Sequence, residues 1–130
     1  MTVDTQNKSK SRSIDLVWIV VDDFDQAIEF FTQKIGFVLD NRSDEMGWAE
    51  LLGTGGSRLG IARKSEFTPI NSGSNAVVTI TVDDISISRE ELKRKGVNLK
   101  GEIMEIPGEV KMQMFSDNNG NLFQLVQLLS

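Results

Sequence analysis

Val20-Val21-Asp22-Asp23-Phe24 returns 61 residues later as Thr81-Val82-Asp83-Asp84-Ile85. Each copy closes an apolar, β-branched run, the signature of a strand. Each is followed by a helix-like stretch and then a glycine, Gly36 or Gly96. A repeat at this spacing divides the chain into two similar halves and directs the search for function to what each contributes to a shared centre.

Working outward, Ile14 to Val21 reads as the first strand. Asp22, Asp23 or Asp25 can cap the helix behind it, because a short carboxylate accepts the free N–H groups of a first turn. Phe24, Ala27, Phe30, Phe31 and Ile35 fall on one helical face. Gly36 suits the stop. Three short strands follow at Phe37–Leu39, Gly47–Leu52 and Arg58–Arg63, with Gly53-Thr54-Gly55-Gly56 turning between the last two. The second half repeats the order. Ala76–Val82 reads as a strand and Ser86–Lys95 as a helix, with Ser88 and Glu91 spaced as a capping box. Strands are then expected near Leu99–Ile103, Lys111–Phe115 and Leu122–Leu129, the last pair joined at Asn119-Gly120.

The expected fold is therefore α+β: two βαβββ modules forming a curved mixed sheet around a cleft, with the helices outside. Residues 1–13 read as a polar, disordered arm, 14–67 as the first module, 68–74 as a linker and 75–130 as the second module, all in one domain.

The absent residue types restrict the chemistry. The 130 residues include no Cys and no His. That leaves no disulfide, no thiolate nucleophile, no Ser-His-Asp triad and none of the commonest metal ligands. A net charge of −5 opposes nucleic-acid binding, which depends on neutralising phosphates. No apolar run spans a bilayer and no signal peptide is evident, so a cytoplasmic protein is expected. The Lys93-Arg94-Lys95 run reads as a solvated helix C-terminus.

Ile14 to Phe24, the Phe30-Phe31 pair and Ile35-Gly36-Phe37 resemble the first module of the vicinal oxygen chelate superfamily, which includes glyoxalase I, bleomycin-resistance proteins and extradiol dioxygenases. Asp117-Asn118-Asn119-Gly120-Asn121-Leu122-Phe123-Gln124 is similar to its closing signature. The similarity covers about residues 14–129. In metal-dependent members, four strand positions facing the cleft bind a divalent ion. Carried over by motif, they fall on Leu16, Gly60, Val77 and Gln124. Two of these are hydrocarbon and one has no side chain, while a lone amide oxygen does not hold a metal. The resemblance thus implies the scaffold of a metal enzyme without its metal site, and no cofactor is expected.

Side chains alternate across a strand. With Leu16 in the cleft, Trp18 follows; with Val77, Thr79; and family analogy turns Met112, Met114 and Gln124 inward. Trp48 and Glu50 share one face of their strand, and the sequence leaves open which. The lining would be apolar, aromatic and Met-containing with a few polar groups, which suits a small-molecule pocket. Trp18, Met112 and Met114 can equally be ordinary core, and Gln124 can satisfy a local backbone group. Glu50 is a weak candidate base and can pair with Arg63 across strands.

The leading functional reading is metal-free, reversible capture of a small amphipathic or aromatic molecule. A superfamily enzyme, using Glu50 as base or relocated metal ligands, is the alternative. A structural or partner-binding module with a filled interior is the third. Family members commonly form homodimers that share a cleft across the interface, so the resemblance also implies a homodimer.

Overall fold

A computed structural model describes residues 15–66, 68 and 70–129. The expected polar arm, residues 1–13, lies outside the described residues. The first module runs β1 (Val17–Val21), α1 (Phe24–Glu29), a π-helical turn (Phe30–Ile35), β2 (Val38–Ser43), β3 (Trp48–Leu52) and β4 (Arg58–Arg63). The second runs β5 (Val78–Thr81), α2 (Ile85–Arg94), β6 (Asn98–Ile106), β7 (Val110–Ser116) and β8 (Leu122–Leu128). The two four-stranded sheets have the same order, β1-β4-β3-β2 and β5-β8-β7-β6. In each, the first strand pairs in parallel with the last and the other pairs are antiparallel. The α+β fold of two repeated modules is as expected. Among the described residues no helix is long and apolar enough to cross a membrane.

The paired Asp-Asp steps act as helix starts. Asp23 Oδ1 accepts from the Gln26 N–H at 3.0 Å, and Asp84 Oδ1 accepts from the Ile87 N–H at 3.1 Å. The capping box expected at Ser88 and Glu91 does not form. Asp84 already holds the cap, and Glu91 instead pairs with Arg94 at 2.8 Å and Lys95 at 3.4 Å. The first helix does not stay α-helical to Ile35. Thr32 Oγ1 donates to the Ile28 carbonyl at 2.8 Å, and the chain widens into a π-helical turn that Gly36 ends at φ 95°. Back-bonding by a threonine hydroxyl competes with the helical ladder in this way.

The helix-facing sides of both modules fuse into one core. Ile19, Val21, Ala49, Leu51, Leu59 and Ile61 from the first sheet join Phe115, Phe123 and Leu125 from the second. Phe31 connects them, its ring 5.2 Å from Phe123 and 6.4 Å from Phe37. A polar clasp closes the same junction. Asn119 Oδ1 accepts from the Asp22 N–H at 3.1 Å, and Asn121 Oδ1 accepts from the Gly73 N–H at 3.0 Å. The faces opposite this core point outward, and they carry the candidate site.

Candidate functional site

Strand register gives the site its framework. In the first sheet Trp18, Gly60 and Glu50 lie in one row across β1, β4 and β3. In the second, Thr79, Gln124 and Met114 form the matching row across β5, β8 and β7. The repeat thus superposes two rows with entirely different side chains.

On the first sheet Trp18 and Trp48 meet edge to face, with ring centroids 6.0 Å apart and planes at 65°. Trp18 stays 38% exposed, so this pair is no ordinary core. Gly60 makes the arrangement possible: a Cβ there would lie 2.5 Å from Trp48 Cη2 and 2.8 Å from Trp18 Cβ. A glycine inside a strand marks such close approaches. The Gly60→Ala variant should therefore push the indole or β1 aside. We expect about 1–3 kcal/mol lost in chemical denaturation together with a shifted tryptophan emission spectrum. An unaltered spectrum and midpoint would contradict the packing.

Trp48 and Glu50 share the outward face, which settles the orientation the sequence left open. Trp48 Nε1–H donates to Glu50 Oε2 at 2.9 Å, and Arg58 Nη1 donates to Glu50 Oε1 at 2.9 Å and to Asp40 Oδ2 at 3.2 Å. The expected Arg63–Glu50 pair does not form. Residue 63 falls on the opposite side of the sheet from Glu50; Arg63 lies 5.6 Å over the Phe24 ring and donates to the Asp44 carbonyl at 3.0 Å. The Trp48 hydrogen bond, followed by those from Arg58 and Asn41, holds the Glu50 carboxyl below the usual glutamate range. A carboxylate so engaged is a poor base at neutral pH.

That depressed pKa has a measurable consequence. The contribution of Glu50 to stability is fully present above its unfolded pKa and is lost as pH falls through the lower folded value. Acid titration should change the emission of Trp48 below the ordinary glutamate range, and Glu50→Gln should remove this step. A step of the same size in the variant would assign it to another group.

On the second sheet Thr79 Oγ1–H donates to Gln124 Oε1 at 3.1 Å. Met112 and Met114 are half-buried on the same face, Met112 opposite Val126 and Met104. Leu16 and Val77 each sit one residue before their strands; Leu16 is half-buried and Val77 is 47% exposed. The first-sheet set (Leu16, Trp18, Trp48, Glu50, Gly60) and the second-sheet set (Val77, Thr79, Met112, Met114, Gln124) are each brought together. Among the described residues no hydrogen bond, ion pair or ring contact joins one set to the other.

Of the four positions to which the resemblance assigns a metal, Leu16 and Val77 are hydrocarbon, Gly60 has no side chain, and only Gln124 carries a donor atom. The indole of Trp48 covers Gly60, and the Gln124 oxygen accepts from Thr79 with one lone pair left over, a single weak donor for any ion. Among the described residues there is no group of three or more acidic side chains that would hold a metal. Sequence reading missed Arg58 and Asp40. The signal available was the parity of Arg58 with Gly60, two residues along one strand.

Two surface grooves lie on the helix side instead. One, of ≈ 530 Å³, runs between Glu29 and Lys34 on one wall and Asn98 and Ser116 on the other. A smaller, more apolar one, of ≈ 240 Å³, is lined by Ile35, Ile80, Val82 and Leu92. None of the ten expected contacts lines either groove. The ten expected contacts lie instead on the open faces of the two sheets.

The sequence pattern of the Glyoxalase/Bleomycin resistance protein/Dioxygenase superfamily matches residues 13–125. The chain belongs to this superfamily. A Bacillus subtilis (strain 168) relative, YurT, is 33% identical over 120 residues, 84% of this chain and 94% of that protein. Among solved structures, TnmS3 from Streptomyces sp. CB03234, described as an antibiotic binding protein, superposes with a TM-score of 0.77 at 24% identity, covering 91% of this chain and 97% of its own. A superfamily member from Sphaerobacter thermophilus DSM 20745 superposes at 0.75 with 19% identity, covering 90% and 98%. These structural likenesses are to the glyoxalase-type fold. The resemblance carried by Ile14 to Phe24 and by the closing turn is thereby established at the level of the superfamily.

Proposed function

We propose that this chain is a metal-independent small-molecule binding protein that captures a planar, amphipathic compound without bond-making. The observation that carries this reading is the half-exposed Trp18–Trp48 pair, seated over Gly60 where other members place a metal ligand. Aromatic faces supply area at low entropic cost, and a few polar groups supply orientation. The description of TnmS3 as an antibiotic binding protein supports the same class of activity.

A single copy offers two half-sites. We propose a homodimer in which the tryptophan face of one chain lies opposite the Gln124 face of its partner, giving two clefts. Val77, Met104 at 66% exposure and Leu128 at 63% are apolar surface that such a partner would cover. The protein is proposed to act in the cytoplasm, without nucleic acid or membrane as partner.

The test combines light scattering with a thermal-shift screen of divalent metals, antibiotics and aromatic metabolites. The expected result is a dimer stabilised by at least one planar compound and by no metal. A ligand at a hundredfold excess over its Kd adds about 2.7 kcal/mol. A monomer with no response to any compound would sink the proposal, as would stoichiometric metal retained through purification.

A further inference from the structure

We infer that the captured ligand presents a hydrogen-bond acceptor oxygen, such as a ketone or amide carbonyl, to the amide nitrogen of Gln124, and that Thr79 is the residue positioning that amide. The inference rests on the capture reading above and names the chemistry of its second wall.

The Thr79 hydroxyl has one proton to donate, and its described acceptor is Gln124 Oε1 at 3.1 Å. That bond takes one lone pair of the amide oxygen and orients the group. Among the described residues no acceptor meets Gln124 Nε2, so both of its N–H groups remain available. Gln124 is half-buried between Thr79 and Met114, on the outward face. A donor held beside apolar Met114 loses its water when a flat ligand covers it. It then needs an acceptor from that ligand, since an unmatched buried donor is penalised. A site built to bond one oxygen rejects the analogue lacking it. At the opposite end of the amide, Thr79 occupies one of the two lone pairs of the oxygen.

The test uses an isosteric pair: 6-acetyl-2-(dimethylamino)naphthalene, and the same ring system with isopropenyl in place of acetyl. The two differ by a carbonyl oxygen against a CH₂. Affinities are read from tryptophan emission, since both tryptophans of the chain lie on the proposed site. The carbonyl stretch of the bound ketone is read by infrared difference spectroscopy. The ketone is expected to bind about tenfold more tightly, the factor that corresponds to one hydrogen bond, with its stretch moved to lower frequency. Gln124→Leu should abolish the preference, so that the ketone and the isopropenyl compound bind alike, and should abolish the frequency shift. Thr79→Val should weaken only the ketone and broaden its band, and Thr79→Ser should restore both. A merely structural role for Thr79 would move neither the band nor the ratio of the two affinities.

Equal affinities in the wild type, or a carbonyl shift that survives Gln124→Leu, would overturn the inference. If both compounds bind equally and Trp18→Ala removes them, capture stands and the acceptor preference falls. If neither compound binds the wild-type dimer, the acceptor preference falls as well.

Discussion

Phe31→Ala is expected to cost about 3–5 kcal/mol, a large part of the 5–15 kcal/mol that holds a domain of this size together. Phe31 is fully buried and touches Phe30 at 5.0 Å, Phe37 at 6.4 Å and Phe123 at 5.2 Å between ring centroids. Its removal leaves a cavity walled by both sheets, and a cavity with rigid walls collapses only in part. The loss should appear in urea as a lower midpoint at nearly unchanged slope. It should also appear as one cooperative transition, because the ring belongs to both modules. Phe31→Leu, which fills much of the same volume, should lose far less. Two separate transitions in the wild type, or a midpoint for Phe31→Ala matching the wild type, would show that the modules do not share this core.

Asp117→Ala is the second large loss, through hydrogen bonding instead of volume. Oδ1 accepts from the backbone N–H groups of Asn119 at 2.9 Å and Asn121 at 2.8 Å, and Oδ2 accepts from Asn121 Nδ2 at 2.9 Å. Asp117 is 5% exposed and Asn121 1%, so water does not readily replace the carboxylate. Three donors lose their acceptor, and we expect about 3–4 kcal/mol, given about 1–3 kcal/mol for each buried group left unpaired. Asp117→Asn keeps one oxygen for the two backbone donors and should lose less. If Asp117→Ala changed the denaturation midpoint no more than a surface substitution does, the turn would not be a structural element at all.

Much of the scaffold could be read in the sequence, for local reasons. Asp23 and Asp84 cap helices because a carboxylate one step before an apolar helix has nearby N–H groups to accept from. Strand parity is a local property and puts Ile19 and Val21 on the helix side, where both join the core, but exposure does not alternate along β1: Val17 is as open as Trp18 and Val20 is 1% exposed. Other features depend on distant partners. The π-helical turn, which carries a bond from the Thr32 hydroxyl to the Ile28 carbonyl, is a widening that 3.6-residue periodicity does not register. In the sequence Gly60 showed only that a ligand was missing, whereas the structure shows a slot filled by Trp48 from a neighbouring strand. Arg58 in place of Arg63 beside Glu50 followed from parity and was available. The division of the ten contacts between two sheets was not, because hydrophobic pattern places residues on faces and does not place faces opposite one another.

The clasp at the module junction carries an implication for the order in which the molecule is made. β1 leaves the ribosome well before its partners: the Asp22 N–H is completed by Asn119, 97 residues later, at 3.1 Å, and the Val20 carbonyl is approached by Asn121 Nδ2, 101 residues later, at 3.5 Å. Both partners belong to the turn between β7 and β8. The first module, which would ordinarily fold before the second during synthesis, therefore waits for this turn before the end of β1 is closed. Nascent chains stalled with residues 117–121 still inside the exit tunnel should be far more open to protease at β1 than chains stalled after this turn has emerged.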